Sequence, residues 1–260
     1  MRSSLAEHEL RFGRVRARFR ELCGHDALLA SGVDTRTALR LLDGLLVADA
    51  ACWPGPGAAD QLTICERDRL LAAVQIATLG PRIRGSARCA ACEERYDTEF
   101  RLDALVGALW PEPPPIDLTL SGGWRLRVPT GADELAVVGL SPEAAVEAMI
   151  QRCVLERGLP EAGAGLAGEL AGRLEREAPV LDLALDAVCP ECGCAGKLDF
   201  RVQVWLLRAL MAERAALSGQ LHSLARAYGW SASEILGLPR TLRLELVRLA
   251  EPTRVAARAA

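Results

Sequence analysis

No stretch of about 18 consecutive apolar residues occurs in this 260-residue chain, so no transmembrane helix is expected. The N-terminal region from Met1 to Arg20 is studded with Arg and Glu. It lacks the apolar core of a secretory signal, which points to a cytoplasmic protein whose thiols stay reduced. Lysine is almost missing, with Lys197 the single instance. The cationic side chains are therefore nearly all Arg, which reads as compositional bias alongside the abundant Ala, Gly and Leu. The formal net charge is −3, giving no general pull toward nucleic acid or an anionic membrane. Histidine is scarce too: His8, His25 and His222 sit apart in segments that read as helical. Walker loop, Rossmann fingerprint, nucleophile elbow and zincin motif are all missing. The acids of Cys65-Glu66-Arg67-Asp68 read as a solvated helix face or as partners of Arg67 and Arg69. No enzymatic activity is expected.

What is present begins with a globular composition, half hydrophobic and a quarter charged. The spacing of Leu10, Val15, Phe19 and Leu22 predicts helix over much of residues 5–50, continued by Leu39, Leu42, Leu45 and Leu46. Residues 1–60 are thus expected to be an N-terminal helical segment, and 61–260 an α+β unit. Within the latter, Leu62 to Thr78 predicts a helix, and Ile116 to Val128 a hairpin turning at Ser121-Gly122-Gly123. Ser141-Pro142-Glu143 opens a helix expected to reach about Arg157. Residues 158–168 read as a loop followed by a short helix. Helix is also predicted from Trp205 to Tyr228, and in two short segments after Ser231 and Pro239, so that residues 205–250 are helical.

Nine cysteines, an odd number in a reducing compartment, argue against a disulfide framework. Two patterns stand out. Cys89-Ala90-Ala91-Cys92 and Cys189-Pro190-Glu191-Cys192 each lie between alternating segments, within residues 86–103 and 180–204, that read as strand, turn and strand. Each such knuckle presents two thiolates, and two knuckles facing each other complete a tetrahedral site of four sulfurs, a donor set that favours structural Zn2+. Cys194 is an alternative to Cys192 as ligand. The bland reading is four ordinary cysteines. A thioredoxin-like redox pair is a third reading, but neither pair opens a helix inside a βαβ unit. Cys23, Cys52, Cys65 and Cys153 read as core or surface residues on or beside helices. The expected fold is α+β, mainly helical, with a small β unit clipped by a zinc-ribbon-like site of four cysteines.

Leu224 to Leu238 joins two helices through Tyr228-Gly229-Trp230 and superficially forms a helix-turn-helix. Residues 232–238 carry almost nothing able to read a base edge, so packing is the simpler account. Order matters more than any single motif. Leu62-Thr63-Ile64-Cys65-Glu66-Arg67-Asp68-Arg69-Leu70-Leu71, then Leu79-Gly80 and the Cys89/Cys92 pair, resembles a pattern in baseplate proteins of phage-tail-like contractile injection systems. These are grouped with the baseplate hub assembly chaperones of T-even phages. Three later segments, Arg127 to Asp133, Leu198 to Trp205 and Leu224 to Leu238, resemble that family in the same order, so the resemblance spans about residues 60–250 with gaps. It implies a structural or assembly protein that binds baseplate or hub polypeptides, in the cytoplasm or in a tail-like particle, without contact with a membrane. The alternative from another class is a zinc-ribbon nucleic-acid-binding regulator, which the acidic charge argues against.

Overall fold

The computed structural model describes residues 6–158 and 165–250. It is a mixed α+β structure in which long and short helices surround four small antiparallel sheets. The N-terminal segment corrects the helical expectation. Glu7–Phe12 (β1) and Val15–Arg20 (β2) form a hairpin, with Phe12 opposite Val15. Leu10, Phe12, Val15, Ala17 and Phe19 are buried while the intervening residues point outward. This is a period of two, and it persists on both sides of Gly13, whose φ of 58° supplies the left-handed turn residue. Leu10, Val15, Phe19 and Leu22 mimicked helical spacing only because the hairpin turn resets the phase. The arginines of this segment line the solvent side of strands, and not helix faces. Helices follow at Gly24–Leu29 (α1) and Thr35–Leu45 (α2).

Ile64–Thr78 (α3) is capped as its sequence requires: the Thr63 hydroxyl accepts from the Glu66 N–H while the Glu66 carboxylate accepts from the Thr63 N–H at 2.8 Å. Its acids are buried and not solvated. Glu66 pairs with Arg14 at 2.8 Å. Asp68 pairs with Arg67 at 3.2 Å and accepts from the Leu181 N–H at 2.9 Å. Burial pushes the Asp68 carboxyl upward, with the Arg67 charge and the Leu181 N–H opposing. The polar residues of α3 therefore tie the centre of the molecule to the start of the second cysteine hairpin. One cluster of buried apolar residues runs from Leu10 to Leu210 and includes residues on both sides of position 60.

Two similar units flank a middle region. The first is Arg82–Arg88 (β3), Arg95–Arg101 (β4) and Leu102–Leu109 (α4). The middle holds Asp117–Thr119 (β5), Arg125–Arg127 (β6), Gly131–Ala136 (α5), Pro142–Cys153 (α6), Val154–Glu156 (β7) and Leu166–Glu177 (α7). The expected hairpin turning at Ser121–Gly123 is present. The helix from Ser141 stops at Cys153, short of the Arg157 expected for it. The next three residues pair with β6 and become an edge strand, so tertiary pairing outweighs helical continuation. The loop expected over 158–168 lies partly outside the described residues. The second unit is Asp182–Val188 (β8), Ala195–Arg201 (β9) and the long Val202–Tyr228 (α8), so this strand ends, and its helix begins, before the expected Val204 and Trp205. Ala232–Leu236 (α9) and Arg240–Ala250 (α10) complete the described chain.

Asp133 is the hub of the middle region. Its carboxylate, 1 % exposed, caps α5 through the Thr130 N–H and binds both Arg127 and Arg152. Burial alone would raise its affinity for a proton; the hydrogen bonds from Arg127 and Thr130 overcome this and hold it well below the usual carboxylate range. A depressed folded-state value contributes stability that is fully present above the unfolded value, about 3.9. That contribution is lost as pH falls through the folded value. Unfolding titrations of wild type and Asp133→Asn are expected to diverge most at neutral pH. They should converge as pH drops below about 4, the variant having the flatter profile. Parallel profiles would remove Asp133 from the acid response.

Candidate metal centre

Each cysteine pair sits on the turn of a regular hairpin, and the two turns are built alike. In the first, the Cys89 N–H donates to Glu94 O at 2.9 Å and the Glu93 N–H to Cys89 O at 3.0 Å. In the second, the Cys189 N–H donates to Cys194 O at 3.0 Å and the Gly193 N–H to Cys189 O at 2.9 Å. The residue after the second cysteine is left-handed in both, Glu93 at φ 61° and Gly193 at φ 70°. Glycine adopts that conformation without strain; Glu93 tolerates it at some cost. In this geometry the first Sγ lies under the turn amides, and the Ala91 N–H donates to Cys89 Sγ at 3.4 Å.

The knuckles meet tip to tip. Cys89 Sγ is 3.6 Å from Cys192 Sγ, and Cys92 Sγ is 3.8 Å from Cys189 Sγ. All four sulfurs lie within 4.8 Å of one another. A tetrahedron of metal–sulfur bonds about 2.3 Å long has edges of roughly 3.8 Å, so the four thiols are spaced to hold a metal ion. Cys89 and Cys189 are buried, Cys92 is partly covered and Cys192 is exposed. Tyr96 packs beside them, with Ala87 and Ala187 at the margin.

The thiols do not titrate alike. Backbone N–H groups of Cys92 and Ala91 stabilise the Cys89 thiolate and bring its pKa down to about 6. At Cys192 the Cys194 N–H acts in the same sense, but the neighbouring Cys92 and Cys89 sulfurs overcome it and push the value up to about 12. Four thiolates at this spacing repel one another, and a central cation removes that opposition.

No family model, curated protein or solved structure matches the chain. What the centre can do follows from its donor set. Of the nine cysteines, the four singled out by spacing are the four brought together. Cys194, the alternative, is exposed and its Sγ donates to Ala195 O at 3.5 Å, outside the group. Cys23, Cys65 and Cys153 are buried apart from it. The histidines contribute nothing here; His8 stacks on Phe19 at 5.4 Å.

The spacing of the Cys-x-x-Cys pairs did not by itself announce how closely the two units correspond. Strands 82–88 and 182–188, strands 95–101 and 195–201, and helices beginning at 102 and 202 stand in the same register, 100 residues apart. The Leu102 N–H donates to Pro81 O at 2.8 Å, and the Val202 N–H to Leu181 O at 3.0 Å. Phe100 and Phe200 meet edge to face, with ring centroids 4.9 Å apart. The signal was in the strings Glu99-Phe100-Arg101-Leu102 and Asp199-Phe200-Arg201-Val202. The two units form a pseudo-twofold pair within one chain, with the sulfurs at its tip and the phenylalanines at its base.

Proposed function

We propose that this protein is a structural or assembly component of the baseplate of a phage-tail-like contractile injection system. It binds baseplate or hub polypeptides, and Zn2+ held by Cys89, Cys92, Cys189 and Cys192 keeps its paired hairpins rigid. The observation that carries the metal half is the convergence of four thiols at tetrahedral spacing from two knuckles. An all-sulfur tetrahedral set leaves no open coordination position, so the role is structural and not catalytic. The baseplate half rests on the order of the motifs given above. Exposed apolar side chains, among them Val138 at 71 % and Val146 at 49 %, are in keeping with a protein that works by docking to others. Among the described residues no helix is long and apolar enough to cross a membrane.

Affinity capture of the tagged chain from a producing cell tests this directly. Co-purification of sheath, tube or baseplate polypeptides is the expected result. Recovery of nucleic acid with no tail protein would transfer support to the regulator reading.

A further inference from the structure

The pseudo-twofold pair creates two equivalent clefts, one on each side. One lies between β3 and β9 against α8 and has a volume of 520 Å3. The other lies between β8 and β4 against α4 and has a volume of 550 Å3. Most of their lining positions correspond at the same 100-residue offset, so a difference at one of these is a departure from a common plan.

The two clefts differ in floor and in charge. Leu185 and Leu105 of the second are matched by Gly85 and Trp205, and the first adds Arg208, whose counterpart Ala108 does not line the second. Gly85 makes room for the indole: a Cβ there would lie 3.1 Å from the Trp205 ring. Trp205 also approaches Phe200, with centroids 6.2 Å apart, so the floor is aromatic. The charge differs in sign. The first cleft carries Arg201 and Arg208 against the single acid Asp199, whereas the second carries Arg101 against Asp97, Glu99 and Asp186. Arg101 is further neutralised by an ion pair with Asp103. Arg201 and Arg208 are both exposed and make no ion pair among the described residues. Each hairpin is a two-stranded sheet, so β3 and β9 each retain one unpaired edge. A free strand edge beside side-chain pockets is what strand addition uses, and guanidinium groups recognise carboxylates.

We propose that the cleft between β3 and β9 binds an extended segment of a partner polypeptide that carries an apolar side chain beside a carboxylate. The apolar group rests on Trp205 and Phe100, Arg201 and Arg208 hold the carboxylate, and a free strand edge offers main-chain hydrogen bonds. A nucleic acid fits less well, because two guanidinium groups are few for a phosphate backbone and the chain carries a net charge of −3. The inference deepens the protein-binding reading and rests on it for the partner's class, but not on which assembly the partner belongs to.

Two fluorescently labelled probe peptides test it with the metal-loaded full chain. One alternates Asp with Leu and Phe; the other replaces each Asp with Lys. The acidic probe is expected to bind about tenfold tighter than the basic one, and Arg201→Ala with Arg208→Ala should cost about tenfold. Arg101→Ala in the opposite cleft should change the affinity by less than about twofold. Amide exchange should slow on β3 and β9 when the acidic probe binds. Absence of binding overturns the proposal, as do equal affinity for both probes, preference for an oligonucleotide, or protection confined to β4 and β8. If capture recovers baseplate polypeptides while the probe fails, the cleft is wrong and the assembly reading stands. If the probe binds while capture recovers no tail protein, the baseplate assignment falls and the cleft stands.

Discussion

Cys89→Ser combined with Cys189→Ser is expected to abolish metal binding and to lower the melting temperature by about 8–20 °C. The magnitude comes from chain connectivity. The sulfurs of Cys92 and Cys189 face each other across a sequence separation of 97 residues. Closing a loop of about 100 residues is worth roughly 4–5 kcal/mol of chain entropy. For a domain of about 150–250 residues, each kcal/mol corresponds to about 2–4 °C. Among the described residues, only Tyr96, Ala87 and Ala187 pack with the cysteines at the tips, so little apolar burial compensates there. Elemental analysis should give one zinc per wild-type chain and none for the variant, and a strong chelator should reproduce the variant's melting curve. Unchanged stability with no bound metal would reduce the four cysteines to ordinary side chains.

A second large effect is expected far from the metal. Arg243 on α10 is wholly buried, paired with Glu213 of α8, and its Nε donates to Gln220 at 2.9 Å. Its Nη1 has no hydrogen-bond partner among the described residues. Burial pulls the guanidinium downward and the Glu213 charge opposes this. Arginine nevertheless stays protonated in a protein, so it cannot escape by losing its charge. Glu213→Ala leaves that cation stranded and should cost about 3–5 kcal/mol in urea denaturation. Glu213 also holds Arg240 at 2.7 Å, so the same change loosens the whole attachment of α10. Replacing the pair together, as Glu213→Leu with Arg243→Met, should recover most of the loss, because an apolar pair of similar volume carries no desolvation cost. A double variant no more stable than Glu213→Ala would mean that packing, and not the unpaired charge, sets the penalty.

The cluster of four cysteines was legible because its signal is local: a two-residue spacing between cysteines, with alternation on either side, says knuckle without reference to the rest of the chain. Helices with strong caps were legible for the same reason, as with Ser141 and Ser231/Glu234. The N-terminal hairpin was not, since Leu10, Val15, Phe19 and Leu22 satisfy two periodicities and only the turn at Gly13 decides between them. The strand at Val154–Glu156 depended on β6, far back in the chain, which no window around Cys153 contains. The buried state of Glu66 and Asp68 was hidden because their partners, Arg14 and the Leu181 amide, are remote in sequence. The two clefts required all of these levels at once, since their lining comes from both units.

The separation of the knuckles also sets a clock. A ribosome adds about 5–20 residues per second, so roughly 5–20 s pass between the emergence of Cys92 and that of Cys189. For most of that interval the first hairpin is complete in sequence but lacks both the second pair of cysteines and Phe200, which covers Phe100. A nascent chain thus exposes half of a thiolate site and half of an aromatic contact until the second unit arrives. The order of synthesis makes the second hairpin the piece that closes the fold.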